Sequence, residues 1–345
     1  MPEVDSSLRL FKYHALGNSY LILDPRRAGP ALAPFRSAES NVPSAHLVRM
    51  LCDVTVGVGS NGLLFGPLFS STKQRFGLSI INSDGTSAGF SGNGARIFAQ
   101  YLMDSGDAHF GQAIGIEISQ ENNEGGLTSN IAPVRLPVDA SQPISVTAPH
   151  MPRFGAKAVA ASAALIPASS NNWKKQVCYC LPALAKLGSD ITRSPTAWTA
   201  SVPVEIGNPH FVTFVSAADE LPDLEALRSH HPALKAIAFC NGSNAQIFAS
   251  GINLQWAWPE SRTALKLAVY ERGEGPTMAS GSSACAAACA AYALGLVDSE
   301  VEVRMPGGNL GISLRGTPDK ITSVTLSGFA SRIFEGTVDL TTLQP

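Results

Sequence analysis

Short runs of apolar and β-branched residues, separated by glycine and asparagine, dominate the chain and predict strands. The clearest predicted strands are 20–23, 78–81, 114–118, 211–215, 264–270 and 301–305. Apolar residues at helical spacing, or strings of good helix formers, interrupt them and predict helices at 46–53, 95–103, 221–230 and 284–296. This mixture indicates an α+β fold. The stretch from about 140 to 200 is rich in Ala, Ser and Pro and is typical of elaborated surface structure rather than of a catalytic segment.

The length and composition favour two globular lobes. Single hydrophobic cores stop growing near about 250–300 residues, and this chain has 345. Apolar residues make up 45% of the chain and charged residues 15%, which is too little charge for a disordered protein.

The charge pattern favours a small-molecule partner. The net charge is −2 and no cluster of Lys and Arg is present, so nothing supplies the basic surface that nucleic acid or an anionic membrane requires. No apolar run approaches the roughly 18 residues that cross a bilayer, and the start MPEVDSSLRL lacks the features of a signal peptide. We therefore expect a cytoplasmic protein.

The cysteines and histidines do not have the spacing of a metal site, and we expect no metal. The six cysteines are Cys52, Cys178, Cys180, Cys240, Cys285 and Cys289. One C-x-C pair stands without a second pair, and the seven histidines contain no H-E-x-x-H. In a chain of this length, we expect the cysteines to pack as buried free thiols and not to form disulfides.

Two distant segments look alike. NSDGT at 82–86 is followed by SGNGAR at 91–96, and ERGEG at 271–275 is followed by SGSSAC at 280–285. Each predicts a strand, a glycine-rich turn, Ser-Gly and a helix. The repetition predicts duplicated lobes that face one another, with both helix N-termini directed into the cleft between them.

Such helix N-termini attract a carboxylate without any basic side chain, because their first N–H groups are free and the helix dipole is positive there. The amides of Gly92, Asn93, Gly281 and Ser282 are the candidate donors. The alternative is that Ser91 and Ser280 are plain N-caps, a role that serine often fills.

A G-x-G-x-x-G pattern at 57–62 is the one sign of a dinucleotide site. A predicted helix precedes it, whereas a dinucleotide-binding fold places a strand there, so we expect no cofactor.

Several motifs together carry a resemblance to a known family. In order they are FKYHALGN (11–18), LCD (51–53) with GVGSNG (57–62), NSDG (82–85), SGNGAR (91–96), GNPHF (207–211) with Asn244, VYERGEG (269–275), ASGSSAC (279–285) and PGG (306–308). The chain thereby resembles the diaminopimelate epimerase family from Leu10 to about Gly336, with a poor match at 140–200. The resemblance implies two pseudo-symmetric α+β lobes, each a sheet around a central helix, with the active-site cleft between them. We place one lobe at 8–128 plus 325–341 and the other at 129–324. Whether the protein forms a homodimer is left open by the sequence.

In the family, two cysteines flank the substrate Cα, one removing its proton and the other returning a proton from the opposite face. This chain has Ser91 and Ser280 at those positions. Because serine is a far weaker acid than cysteine, it needs a separate base. By the resemblance, His210 and Glu271 lie beside the second catalytic position, and either could be that base. Alternatively, His210 fixes a loop and Glu271 forms an ion pair with Arg272.

The resemblance also implies a polar, amino-acid-like or dicarboxylate ligand. The positions that match family contacts to the far end of an amino-diacid are Asn18, Asn82, Asn208, Asn244, Glu271 and Arg272. The chain departs from the family at Asn61, where Asp is usual, and at Pro276 and Met278, and these departures put the shape of the pocket in doubt.

Three functions follow from these observations. The first is a cofactor-independent isomerase or epimerase that moves a proton at the carbon α to a carboxylate. The second is a lyase, a dehydratase or a proton-shuttle isomerase of the phenazine-biosynthesis type, which needs a single good base. The third is a non-catalytic ligand-binding homologue, which the two serines fit directly; an engineered replacement of both cysteines would leave the same sequence.

Overall fold

The computed structural model describes residues 6–36, 42–68, 74–121, 127–154, 158–159, 164–165, 198–239 and 251–342. The chain divides into two compact units, one formed by Met1–Pro149 with Ser327–Pro345 and the other by His150–Leu326. Strands and helices are mixed in both, which confirms the α+β class. The lobe limits suggested by the sequence, 8–128 plus 325–341 for one lobe and 129–324 for the other, stay a prediction.

Twenty strands and five α-helices lie in the described part of the chain. The strands are β1 Ser7–Ala15, β2 Asn18–Leu23, β3 Gly62–Leu68, β4 Arg75–Asn82, β5 Ser87–Ala88, β6 Ala113–Glu121, β7 Leu127–Arg135, β8 Ile144–Thr147, β9 Arg153–Phe154, β10 Ala158–Val159, β11 Ala164–Leu165, β12 Trp198–Glu205, β13 Pro209–Val215, β14 Asn253–Ser261, β15 Ala264–Glu271, β16 Gly275–Thr277, β17 Glu300–Met305, β18 Gly308–Thr317, β19 Lys320–Gly328 and β20 Ser331–Asp339. The helices are α1 Ala45–Cys52, α2 Gly92–Asp104, α3 Leu224–Ser229, α4 His231–Phe239 and α5 Gly281–Ala293.

The first unit begins with the antiparallel hairpin β1–β2, whose turn uses positive φ angles at Leu16 and Gly17. Strand β2 pairs parallel with β3, and β3 pairs antiparallel with β4. Strand β4 then pairs antiparallel with the short β5 and parallel with β6, and α2 provides the crossover between them. Strand β6 pairs antiparallel with β7, and β20 returns to pair antiparallel with β1.

The second unit repeats this succession of pairings. Strands β12 and β13 are antiparallel, β13 and β14 are parallel, and β14 and β15 are antiparallel. Strand β15 pairs antiparallel with β16 and parallel with β17, with α5 as the crossover, and β17 pairs antiparallel with β18. The duplicated segments found in the sequence are therefore duplicated supersecondary units.

A buried helix lies at the centre of each unit. Helix α2 packs on β1, β2, β8 and β20, and α5 packs on β12 to β15, β17 and β18. The two helices begin on Ser-Gly and consist largely of small or apolar residues, so they pack closely on their sheets. In the first unit, Leu47, Val48 and Leu51 of α1 pack against apolar side chains of β1, β2 and β3 and form a hydrophobic cluster with them.

The predicted strands are confirmed, and three of the four predicted helices are confirmed with shifted ends. The helix expected at 221–230 is wrong in its limits. A 3-10 turn at Ala218–Glu220 comes first, Asp223 then caps α3, and α4 begins directly after it. The Asp223 side chain accepts a hydrogen bond from the Ala226 N–H at 2.8 Å, which places the start of the helix after it. Most of 140–200 lies outside the described residues.

Candidate functional site

Ser91 lies immediately before α2 in the first unit and caps it. Its backbone is extended, with φ −139° and ψ 117°, and its Oγ accepts a hydrogen bond from the Gly94 N–H at 3.0 Å. The same Oγ lies 3.3 Å from the hydroxyl oxygen of Tyr20 on β2. Ser91 is therefore an N-cap, and it also has a second polar partner that a simple cap does not require.

The first turn of α2 is buried at Gly92 and Asn93. The Asn93 side chain is already engaged, because its Oδ1 accepts a hydrogen bond of 2.6 Å from Arg96 Nη2. The groups of this turn that remain suited to an anion are therefore backbone amides, as at other helix N-termini.

The two asparagines predicted for the first unit have different surroundings. The side chain of Asn82 holds the turn between β4 and β5, since its Nδ2 donates to Thr86 Oγ1 at 2.9 Å. Asn18 Oδ1 is buried and accepts no hydrogen bond from any residue that the structure describes. A buried carbonyl oxygen without a partner is uncommon, so Asn18 remains a candidate ligand contact whereas the Asn82 amide has a structural use.

Ser280 caps α5 in the second unit with nearly the same geometry as Ser91. Its φ and ψ are −140° and 124°, and its Oγ accepts a hydrogen bond of 3.3 Å from the Ser283 N–H. In addition, the Ser280 side chain hydrogen bonds to Glu271 at the end of β15. A carboxylate can only accept, so Ser280 donates its proton to Glu271 when that group is ionised.

The environment of Glu271 favours its neutral form. Burial raises the pKa of this carboxyl to about 7, the charge of Glu274 raises it further, and the hydrogen bond from Ser280 opposes the rise. A carboxyl group with this pKa is populated in both protonation states near neutral pH, as a general acid or base requires.

His210 is fully buried on β13, and both ring nitrogens have partners. Gln255 Nε2 donates to His210 Nδ1 at 2.9 Å, so the ring carries its hydrogen on Nε2 and donates to Asn208 Oδ1 at 2.8 Å. Burial, assisted by the positive charge of Arg272, lowers the pKa of His210 to about 3. The ring is therefore neutral, and its one lone pair is occupied.

Gln255 connects this histidine to α5. Its Nε2 also donates to Ser283 Oγ at 3.0 Å, and the Ser283 N–H in turn bonds to Ser280 Oγ. A continuous chain of hydrogen bonds thus runs from Asn208 through His210, Gln255 and Ser283 to Ser280. It lies in the interior, where such bonds are strongest and most costly to leave unmade.

Arg272 follows Glu271 and has a half-buried guanidinium, whose pKa is lowered by burial. Its backbone N–H donates to Asn253 Oδ1 at 3.0 Å, and Asn253 Nδ2 donates to the Pro209 carbonyl at 3.4 Å. No described carboxylate forms an ion pair with Arg272, so the ion pair considered with Glu271 is not formed. Asn244 lies outside the described residues.

The structure brings together four of the predicted residues of the second unit, Asn208, His210, Glu271 and Ser280, with Gly281 and Ser282 in the first turn of α5. Sequence reasoning missed Tyr20, Asn253, Gln255 and Ser283. Gln255 had a detectable signal, because it stands in the otherwise apolar run LQWAW, and a polar residue inside a buried strand needs partners.

Residues 57–61 of the G-x-G-x-x-G pattern lie in the loop between α1 and β3, and its last glycine, Gly62, begins β3. The pattern therefore has helix-loop-strand order instead of the strand-loop-helix order that binds dinucleotides. Among the described residues, no group of three or more His, Cys, Asp or Glu side chains is placed to hold a metal ion. No helix in that part of the chain is long and apolar enough to span a membrane.

Comparisons with known proteins point in one direction. The sequence profile of the family described as "Diaminopimelate epimerase" matches residues 202–329. The chain is 28% identical over 332 residues to "Diaminopimelate epimerase 2" of Nostoc sp., covering 95% of this chain and 97% of that protein. It is 28% identical over 343 residues to the diaminopimelate epimerase of Synechococcus elongatus, covering 97% and 99%.

Solved structures share the fold at low sequence identity. A phenazine biosynthesis protein of the PhzF family from Bacillus anthracis superposes with a TM-score of 0.61 at 14% identity, covering 96% of this chain and 99% of that one. A hydroxyproline epimerase from Agrobacterium vitis, solved with trans-4-hydroxy-L-proline, gives a TM-score of 0.57 at 13% identity, covering 97% and 93%.

Proposed function

We propose that the chain is a cofactor-independent isomerase or epimerase that moves a proton at the carbon α to a carboxylate of an amino-acid-like or dicarboxylate substrate. The observation that carries the proposal is the pair formed by Ser280 and Glu271 at the N-terminus of α5, with a carboxyl pKa of about 7. This pair supplies the separate base that a serine requires.

Proton removal by this pair balances as follows. The Cα–H bond breaks as a new O–H bond forms at Ser280 Oγ, and the original Oγ–H proton passes to the Glu271 carboxylate. The serine thus never carries a negative charge, and the effective base strength is that of the carboxylate. The electron pair left on Cα delocalises into the neighbouring carboxylate of the substrate.

The substrate carboxylate fits the helix N-termini. Free N–H groups at Gly281 and Ser282, and at Gly92 and Asn93, offer donors and the positive end of a helix dipole without a mobile side chain. These donors favour the additional negative charge that develops on the carboxylate oxygens when the proton leaves.

The far end of the substrate is assigned to polar groups that the structure leaves available. Arg272 has a desolvated guanidinium without a described acidic partner, and Asn18 has a buried amide oxygen without a described donor. A second carboxylate and an ammonium group complement them. Diaminopimelate, the compound in the relatives' names, has both and is the first candidate.

We assign Ser91 the second acid–base role, equivalent in the first unit to that of Ser280 in the second. The support is the repeated topology of the two units together with the matching cap geometry of the two serines. His210 is assigned a positioning role instead of that of the base, because its lone pair accepts from Gln255 and its pKa is far below neutrality.

A second function is favoured by the difference between the two serines. Glu271 stands beside Ser280, whereas the described side-chain partner of Ser91 is a phenol. An enzyme with one carboxylate base suits a proton-shuttle isomerase or a lyase, which takes a proton from one carbon without inverting it. In that case Glu271 would still remove the proton, but the product would be rearranged or cleaved instead of inverted.

Deuterium incorporation distinguishes these functions. The protein is first screened for thermal stabilisation by stereoisomers of diaminopimelate, other amino acids and dicarboxylates, since a ligand of the folded state raises the melting temperature. Ligands that bind are then incubated with enzyme in D₂O, and loss of the α-proton signal is followed by NMR while configuration is followed by chiral chromatography.

An epimerase incorporates deuterium with inversion, a shuttle isomerase incorporates it into a rearranged product, and a lyase releases a fragment. Glu271→Gln should lower any of these rates by at least about 100-fold while ligand stabilisation persists. The exposed neighbour Glu274→Gln is the matched control and should stay within a few-fold of the unmodified chain. Binding with neither exchange nor turnover would establish a binding protein and refute the proposal.

A further inference from the structure

The hairpin β1–β2 places two phenols at opposite ends of α2. Tyr13 and Tyr20 are directly opposed in the hairpin register. The Tyr13 hydroxyl donates to Asp104, the last residue of α2, at 2.7 Å, and the Tyr20 hydroxyl lies 3.3 Å from Ser91 Oγ, before the first residue. Both contacts use a phenol hydroxyl, the first on a carboxylate and the second on a serine hydroxyl, and only the second involves a proposed catalytic residue.

The ring of Tyr20 is held by a close approach to Gly62 at the start of β3. A Cβ at position 62 would lie 2.8 Å from Tyr20 Cε1 and 2.6 Å from the Ile81 carbonyl oxygen. Glycine is therefore required there by the ring and the neighbouring strand. Tyr20 is 6% exposed, so its ring has little freedom to move. The ring therefore holds the hydroxyl in a fixed position next to Ser91.

We propose that Tyr20 is a positioning residue that makes Ser91 a proton donor, which gives the two serines opposite roles in the reaction proposed above. A hydroxyl can accept two hydrogen bonds and donate one. Ser91 Oγ accepts from the Gly94 N–H. In the proposed arrangement the Tyr20 hydroxyl is the donor across its 3.3 Å contact with Ser91 Oγ, and the Ser91 proton is then directed elsewhere. Ser280 differs, because its proton is committed to Glu271.

The return of a proton to the substrate Cα then proceeds without a free alkoxide at Ser91. The Ser91 Oγ–H bond breaks as the Cα–H bond forms, and the Tyr20 O–H proton passes to Oγ and restores the serine. The phenolate that remains takes a proton from water. A phenol suits this step because tyrosine in water has a pKa of about 10, whereas serine is a far weaker acid. In the reverse direction, hydroxide takes the Tyr20 O–H proton, the phenolate takes the Ser91 Oγ–H proton, and Oγ takes the proton from Cα as the Cα–H bond breaks.

A thiol at position 91 tests the contact without any need for a substrate. Ser91→Cys is prepared alone, with Tyr20→Phe, and with the matched control Tyr13→Phe. The pKa of the introduced thiol is measured from the pH dependence of its alkylation by iodoacetamide, with the modified peptide quantified by mass spectrometry. A donor to the thiolate lowers its pKa, so Tyr20→Phe should raise the pKa by about one unit and slow alkylation about tenfold at pH 7. Tyr13→Phe should leave it unchanged.

Activity provides the second measurement. Tyr20→Phe in the otherwise unmodified chain should lower inversion in D₂O at least tenfold more than it lowers loss of the α-proton on the Glu271 side. An unchanged thiol pKa, an equal shift with Tyr13→Phe, or equal loss of inversion and exchange would each overturn the role of Tyr20. An unmodified chain that exchanges no proton refutes the proposed function instead, and the thiol pKa still decides whether Tyr20 bonds to the group at position 91.

Discussion

His210 Nδ1 lies 2.9 Å from Gln255 Nε2, and this single contact determines which nitrogen of a fully buried ring carries the hydrogen. An amide N–H can only donate, so Nδ1 must be unprotonated and Nε2 must hold the proton that bonds to Asn208. The tautomer is in this way fixed by a residue of the neighbouring strand. Because Gln255 also holds Ser283, the ring and the cap of α5 are positioned together.

Replacing this amide by a carboxylate should change the charge of the ring. In Gln255→Glu, a carboxylate faces Nδ1 and needs a proton there, while Asn208 keeps the proton on Nε2, so the imidazolium becomes the favoured form. The pKa of His210 should rise from about 3 by more than two units. The ring ¹⁵N shifts report it, with the peak assigned through His210→Gln. Gln255→Leu removes the donor without adding charge and should not raise the pKa.

The pH dependence of turnover should follow Glu271. Its ionised form is the base, and burial places its pKa at about 7, so kcat/KM should rise as the pH increases through about 7. Glu274→Gln removes a charge that raises this pKa and should move the midpoint to lower pH. A midpoint near the ordinary glutamate pKa of 4.5 would contradict the assignment of the base.

Much of the fold could be predicted from the sequence because local patterns and tertiary context agree there. The apolar runs at 78–81 and 264–270 became β4 and β15, and the Ser-Gly starts of α2 and α5 carried their own capping signal. The end of α5 was misplaced by three residues although the sequence carried a signal for it, because Gly295, directly after the Leu294 C-cap, has the left-handed φ of 70° that commonly ends a helix.

The arrangement of the candidate site was only partly predictable. The sequence indicated Ser280, Glu271 and His210 through motifs, but which nitrogen of the ring carries the hydrogen depends on Gln255, a residue 45 positions away on another strand. Likewise, the contact of Tyr20 with Ser91 spans 71 positions. Such contacts depend on strand register, which no local pattern of the chain encodes.

Glu271 should also make stability depend on pH. Its folded pKa, about 7, exceeds its ordinary value of 4.5, so the stability it contributes is fully present below pH 4.5 and is lost as the pH rises through 7. Gln imitates the neutral form. Glu271→Gln should therefore unfold at higher urea concentration than the unmodified chain at pH 8, by a free energy on the order of 1–3 kcal/mol, and at nearly the same concentration at pH 4. Equal midpoints at pH 8 would show that the carboxyl is not desolvated.

Gly62→Ala should destabilise the first unit. The added methyl group would meet the Ile81 carbonyl oxygen at 2.6 Å and the Tyr20 ring at 2.8 Å, and the strand backbone cannot retreat without breaking its pairing. Overpacking of this kind costs about 1–3 kcal/mol. Gly273→Ala is the matched control, because a Cβ there meets nothing within 4 Å and its φ is not positive. Thermal melting of both variants checks the difference.

Restoring thiols at both caps tests whether the serines occupy catalytic positions. Cysteine has a pKa of about 8.5, which a helix N-terminus lowers further, so a thiolate can remove an α-proton without Glu271 as an intermediary. We expect Ser91→Cys with Ser280→Cys to create or greatly increase α-proton exchange on any amino acid that stabilises the unmodified chain. Adding Glu271→Gln to this double variant should reduce exchange less than it does in the serine background, because the base is then the sulfur. If the thiols produce no exchange with a ligand that binds, the two serines are helix caps alone, and the proposal that they take part in proton transfer is wrong.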